Sequence, residues 1–182
     1  AVAPSWRTRE KVYLDRRDNC GMKSAVVVGA QGVIGRYIVE KLASLPDWQV
    51  TGLSRRRGED GPRQRHVSVD LLDVEDTKRK LQGLTHASHV FYAAFQAGSG
   101  PAADYAKNIA ANRDMLVNSV SAIESAAPGL QRVVLVTGTK YYGSHLGAFK
   151  TPAREDDPRS LKGNFYYDQE DYLIGRQENA DW

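Results

Sequence analysis

Ser24-Ala-Val-Val-Val-Gly29-Ala-Gln-Gly32-Val-Ile-Gly35-Arg36 decides how this chain folds. Its first half is an unbroken run of small apolar and β-branched residues, which suits a buried parallel strand. From Val33 to Leu45 the apolar residues recur at helical spacing, so the three glycines lie on a strand-to-helix turn. Each glycine then has its own task. Gly29 supplies the positive φ of a tight bend, Gly32 lets backbone approach a pyrophosphate, and Gly35 lets the helix pack closely on the strand. Gln31, Val33 and Ile34 stand between them and count with them as candidate cofactor contacts, and the N–H groups of the helix start face an anion.

Glycine turns also occur for packing alone, and the second strand decides between the two readings. Trp48-Gln-Val-Thr-Gly-Leu-Ser54 reads as the next parallel strand. Folds of this kind that take NAD carry Asp or Glu at its carboxyl end, bound to the ribose 2′-hydroxyl. Here Ser54-Arg55-Arg56 stands in that place. A carboxylate repels a 2′-phosphate, whereas an arginine fork pairs with it through two parallel hydrogen bonds and stacks on adenine. Turn and arginines together predict a dinucleotide site that takes NADPH. The stretch from Arg55 to Arg65 also fits a solvated basic loop or a nucleic-acid patch, but it is short and has no interleaved aromatics on which bases stack.

Composition bounds the remaining classes. With 182 residues, 41% hydrophobic and 26% charged, one globular domain with a real core is expected. A net charge of +3 is too small to imply a nucleic-acid partner. Cys20 is the only cysteine, which excludes a disulfide framework and fits a cytoplasmic setting. No apolar run approaches the roughly 18 residues of a membrane span. Residues 1 to 21 are of mixed charge and lack the apolar core of a signal peptide. With Met22 read as the natural start, residues 1–22 are expected to be a disordered extension or an upstream artefact, and residues 23–182 the NADP-binding domain.

Strand and helix patterns keep alternating. Arg65–Asp70 reads as a third strand, with Asp70 and Leu71 placed to clamp an adenine. Val74–Leu84 reads as a short charged helix. Ser88–Ala94 is a fourth strand leading through Ala93 into a Gly98-Ser-Gly-Pro101 loop, and Ala102–Ala127 a long helix ended by Pro128-Gly129. Arg132–Thr137 is a fifth strand, predicted by its apolar run to be buried on both faces. This alternation specifies an α/β fold, a doubly wound parallel sheet of the Rossmann kind. No internal repeat or low-complexity tract interrupts it.

Ligands on such sheets bind beyond the carboxyl ends of the strands, so Thr137-Gly-Thr-Lys140-Tyr-Tyr-Gly143 is expected to face the nicotinamide half of the cofactor. Lys140 there can bind a ribose, lower the pKa of a phenol or stabilise an oxyanion; it can equally be an exposed lysine after a strand. Downstream, Asn164-Phe-Tyr166-Tyr167-Asp-Gln-Glu170-Asp171 reads as an Asn-capped helix. Adjacent tyrosines cannot both point inward on a helix, so one phenol is free to face the crevice. His66, His86, His89 and His145 lack metal-ligand spacing, and no metal is expected.

These motifs together resemble the extended short-chain dehydrogenase/reductase superfamily and, within it, the progesterone 5β-reductase and iridoid synthase-like enone reductases. The resemblance runs from about Met22 to Trp182, through Gly29–Gly35, Ser54-Arg-Arg56, Asp70-Leu71, Thr85–Tyr92, Thr137–Gly143, Glu155-Asp156 and Asn164–Asp171. It implies hydride transfer from NADPH to the β-carbon of an α,β-unsaturated carbonyl, a small-molecule enone. Lys140 and the tyrosine of Asn-Phe-Tyr-Tyr, Tyr166 with Tyr167 as the alternative, then stabilise the enolate. The Tyr-x-x-x-Lys pair of most short-chain reductases is absent, because Glu170 and Asp171 stand where its lysine would be. Lys140-Tyr141-Tyr142 replaces the familiar Lys-His-Tyr, and the loop from there to Asn164 is shorter than the family's.

The family continues with a sixth strand and a substrate-binding domain, so this chain is expected to be a cofactor half cut after the fifth strand and its helix. The fifth strand would then be an open sheet edge. Neither a nucleic acid nor a membrane is expected as partner, and a homodimer is compatible with the sequence. Two other functions share the glycine turn: a nucleotide-sugar epimerase or dehydratase, which needs the missing lysine, and a non-catalytic NADP sensor.

Overall fold

The computed structural model describes residues 21–97, 105–159 and 163–182. Strands β1 (Lys23–Val28), β2 (Trp48–Ser54), β3 (Gln64–Ser68), β4 (His89–Tyr92) and β5 (Arg132–Leu135) form one parallel sheet in the order β3-β2-β1-β4-β5. Helices α1 (Val33–Ala43), α2 (Val74–Leu81), α3 (Tyr105–Ala126) and α4 (Phe165–Gln177) alternate with them. Strand order reverses between β1 and β4, and the crevice outside their carboxyl ends is where such a sheet binds ligands. The architecture is the doubly wound Rossmann sheet that the alternation predicts.

Alternate residues of each strand serve opposite faces. Val26, Val28, Val90 and Tyr92 join Leu81 of α2 and Leu116, Val120 and Ile123 of α3 in the larger core. Ala25, Val27 and Val50 meet Val39 and Leu42 of α1 in a smaller one. Helix α4 packs beside α3 and sends Leu173 into the larger core.

β5 departs from expectation. Arg132 is exposed and Val133, Val134 and Leu135 are only half-buried, not buried on both faces. The strand lies at the edge of the sheet, and among the described residues α1 alone covers the face opposite α3, over β1 and β2. Helix α2 stops at Leu81 rather than Leu84, just before Gly83 removes the incentive to continue. The Gly98–Pro101 loop, the helix start from Ala102, and residues 1–20 with Cys20 lie outside the described residues. No helix among the described residues is long and apolar enough to cross a membrane.

Tyr92 is 1% exposed and its hydroxyl has no hydrogen-bond partner among the described residues. Burial pushes this phenol well above its ordinary range. An unpaired buried hydroxyl costs about 1–3 kcal/mol. Tyr92→Phe is therefore expected to raise the urea midpoint of unfolding, by about 1 kcal/mol of stability; a lowered midpoint would show that the hydroxyl is satisfied after all.

Candidate functional site

The glycine turn closes as its sequence requires. Gly29 has φ +86°, and its N–H and that of Ala30 both donate to Leu53 O, at 2.9 and 3.0 Å. A Cβ on Gly29 would lie 2.7 Å from Ala94 Cα and 2.8 Å from Ala93 C, so the end of β4 runs directly against the turn. Gly32 is the N-cap of α1, and no side chain among the described residues caps that helix. Its first N–H groups therefore stay open to an anion. Val33 and Ile34, 75% and 50% exposed, project from the first turn into solvent, which suits side chains that a cofactor covers. Gln31 folds back across the crevice and donates to Arg57 O at 2.8 Å.

Arg55, Arg56 and Arg57 are exposed, and no carboxylate pairs with any of them among the described residues. Three bonds fix their backbone. Ser68 Oγ donates to Arg55 O (2.8 Å), Ser54 Oγ to Arg56 O (2.5 Å) and Gln31 to Arg57 O. Beside them opens a cavity of about 680 Å³, lined by Arg36 and Glu40 of α1 and by Arg56, Arg57 and His66. Arg36, Arg56 and Arg57 bring three guanidinium groups to one cavity, the last two with their carbonyls held, an arrangement that suits a phosphate. At the end of β3, Asp70 is exposed and accepts from Leu72 N–H at 3.0 Å. Leu71, 6% exposed, packs into the core, and its carbonyl accepts from Asn118 of α3.

The other end of the crevice lies past β4 and β5. Val136 N–H donates to Tyr92 O, Thr137 is exposed, and Thr139–Tyr142 form a 3-10 turn that carries Lys140. Lys140 Nζ stands 5.2 Å above the Phe95 ring, Phe95 stacks on Phe165, and Phe165 adjoins Tyr166 at 4.2 Å between centroids. A Cβ on Gly138 would be 3.5 Å from the Tyr166 hydroxyl. Asn164 binds this group together: its Oδ1 caps α4 by accepting from Tyr166 N–H, and its Nδ2 donates to Lys140 O at 2.6 Å. Lys140 and Tyr166, 26 positions apart in sequence, thus share one aromatic platform.

The two tyrosines differ. Tyr167 is 7% exposed and donates its hydroxyl to Tyr141 O at 2.5 Å. Tyr166 is half-buried, and its hydroxyl makes no hydrogen bond among the described residues. Burial raises the Tyr166 phenol above its ordinary value of 10.0, so it is a neutral donor at physiological pH. Glu170, where the lysine of Tyr-x-x-x-Lys would stand, accepts from Tyr141 Oη at 2.8 Å and pairs with Arg159, which also reaches Asp171. That acid is structural glue between α4 and the loop before it.

Phe95 and Asn112 escaped the sequence reading. Phe95 is 48% exposed, an aromatic placed directly after β4, and that position was its only signal. Asn112 is fully buried in α3. It accepts from Gln96 N–H and donates to Gln96 O, while its own carbonyl accepts from Gln169 of α4. Gln96 Oε1 in turn accepts from Arg55 at 3.3 Å, which links the two ends of the crevice. No group of three or more His, Cys, Asp or Glu among the described residues is placed to hold a metal.

Comparison with known proteins places the chain. It is 36% identical to an (S)-8-oxocitronellyl enol synthase from Nepeta racemosa over 177 aligned positions, covering 87% of this chain and 44% of the relative. A 3-oxo-Delta(4,5)-steroid 5-beta-reductase from Arabidopsis thaliana matches with the same identity and coverage. The chain thus spans about half the length of the curated relatives it matches. Among solved structures, a short-chain dehydrogenase/reductase superfamily protein from Agrobacterium tumefaciens with bound NAD superposes with a TM-score of 0.67 at 22% identity, covering 87% of this chain and 46% of that one. The Bordetella bronchiseptica enzyme WbmH in complex with NAD+ gives 0.67 at 24%, covering 85% and 52%. At such identities the structures show the shared fold. A family model, the PRISE-like Rossmann-fold domain, matches residues 65–182, and the chain belongs to that family.

Proposed function

We propose that residues 23–182 are the NADPH-holding part of a reductase that acts on the C=C bond of small α,β-unsaturated carbonyl compounds. One observation carries this: an arginine-flanked glycine turn and a Lys140–Tyr166 platform lie at the same end of one sheet. Relatives named as an enol synthase and a steroid 5-beta-reductase support it. The residues fit the cofactor, since the cradle before the uncapped α1 is one that a Cβ at Gly29 or Gly35 would fill. Gly29–Gly35 would hold the pyrophosphate, Arg55 and Arg56 the 2′-phosphate, Asp70 the adenine rim, and Ala93, Thr137 and Lys140 the nicotinamide side.

Bound NADPH would supply a hydride to the enone β-carbon, which moves the double-bond electrons onto the carbonyl oxygen. Tyr166 offers its phenolic proton to that oxygen as a hydrogen bond, and the Lys140 ammonium opposes the growing negative charge. Phe95 and Phe165 keep water from one side of both groups, which strengthens the electrostatics. A proton from solvent on the α-carbon completes the reduction.

Titration with NADPH and separately with NADH, followed by nicotinamide fluorescence, tests the cofactor assignment. Charge-assisted hydrogen bonds contribute about 1.5–3 kcal/mol each. The Arg55→Ala, Arg56→Ala double variant is thus expected to bind NADPH about 100-fold more weakly and NADH as before. Equal loss of both nucleotides would refute the 2′-phosphate role. Consumption of NADPH with a simple enone, against the matching saturated ketone, tests the chemistry; turnover of the ketone alone would replace C=C reduction by carbonyl reduction.

A further inference from the structure

His66 lies midway along β3, with Gly52 of β2 as its register partner. Its imidazole occupies a socket made by two glycines. A Cβ on Gly52 would come within 3.3 Å of His66 Cδ2, and one on Gly58 within 2.8 Å of Cγ. Both ring nitrogens are used: Nδ1 accepts from Gly58 N–H at 2.8 Å, and Nε2 lies 3.0 Å from Ser54 Oγ. The backbone N–H of His66 donates to Asp60 Oδ1 at 2.7 Å. An amide N–H only donates, so Nδ1 carries a lone pair. Because the Ser54 hydroxyl gives its proton to Arg56 O, Nε2 carries the imidazole proton and donates it to Ser54. The ring is neutral, in one tautomer, and it braces both ends of Arg55-Arg56-Arg57.

We infer that His66 is a positioning residue for the 2′-phosphate: its neutral imidazole sets the arginine loop, and preference for NADPH over NADH depends on it. This rests on the cofactor assignment above. Other side chains hold the Arg55 and Arg57 carbonyls, but among the described residues only the Ser54–His66–Gly58 chain fixes Arg56 O together with the amide that ends the arginine run. Around the ring stand Arg56, Arg57, Glu59 and Asp60 of the loop, and Arg36 and Glu40 of α1 across the cavity. Burial lowers the His66 pKa below 6.5, Asp60 opposes that shift and Arg57 adds to it. Protonation of Nδ1 would set N–H against N–H at Gly58. The loop is therefore fully braced above pH 6.5 and loses its brace only as pH falls through the lower folded value.

His66→Phe and His66→Asn test this with NADPH and NADH titrations between pH 5.5 and 8. Phe fills the socket without hydrogen bonds, and loss of two of them is expected to weaken NADPH about tenfold at pH 8 while NADH is unchanged. Asn keeps an acceptor for Gly58 N–H and does not titrate, so it is expected to keep most of the preference. The 2′-phosphate itself titrates near pH 6. Both variants retain that dependence, and the extra loss seen only in the wild type belongs to His66. In the wild type, imidazole 15N resonances are expected to show the Nε2–H tautomer at pH 8 and to convert over the range where the NADPH/NADH ratio falls. A wild type that prefers NADPH together with a His66→Phe variant of equal preference, or an Nδ1–H tautomer at pH 8, overturns the inference and leaves the cofactor assignment standing. A wild type with no preference for NADPH overturns both.

Discussion

Gly35→Ala is expected to destabilise the fold by about 3 kcal/mol, measured by urea unfolding, although the same change in most helices stabilises. In an ordinary helix interior, Ala is better than Gly by about 1 kcal/mol. Here a Cβ would press into Gly29 O and lie 2.8 Å from Gly29 C and 3.0 Å from Ala30 Cα, all backbone of the preceding turn. That turn cannot yield freely. Gly29 and Ala30 are bonded to Leu53 O, and Gly29 already lies against the backbone of Ala93 and Ala94. Against the 5–15 kcal/mol of a typical domain, such a loss removes a large share of stability. Gly32→Ala is the control. Its φ is −74° and its Cβ would meet only Gly29 O, at 3.1 Å, so the fold is expected to stand while nucleotide binding weakens. Equal midpoints for Gly35→Ala and wild type would show that the turn relaxes, and that Gly35 is not required for packing.

The glycine turn was legible because its physics is local: a positive φ at Gly29 and a close approach at Gly35 are both set within a dozen residues. The bounds of β2 and the Asn164 cap of α4 were legible for the same reason. The edge position of β5 was legible but its burial was not, since an apolar run looks the same whether or not a helix covers both faces of its strand. The role of His66 was hidden for another reason. Its partners, Ser54 and Gly58, lie 12 and 8 residues away across a strand pair, and a lone histidine in a strand carries no pattern of its own. Asn112 is more remote still, bonded to a residue 57 positions along. What periodicity reports is the face of an element; which polar groups meet across two elements depends on register and docking, which periodicity does not carry.

Tyr166→Phe is expected to lower kcat for enone reduction by about 10²–10³, with NADPH affinity unchanged, if the phenol is the donor to the enolate oxygen. Lys140→Ala is expected to fall in the same range. The change Tyr167→Phe separates the two phenols: it removes the bond to Tyr141 O and is expected to cost about 1 kcal/mol of stability with kcat retained. The pH profile gives a second readout. The raised pKa of Tyr166 keeps the phenol protonated through neutral pH, so activity is present below its ordinary value of 10.0 and is lost only as pH climbs through the higher folded value. That alkaline limb should disappear in the residual rate of Tyr166→Phe. Wild-type turnover in both Tyr166→Phe and Lys140→Ala would remove both residues from the chemistry. A dead Tyr167→Phe that still binds NADPH would move the donor one position along α4, to the phenol that the structure shows bonded to backbone.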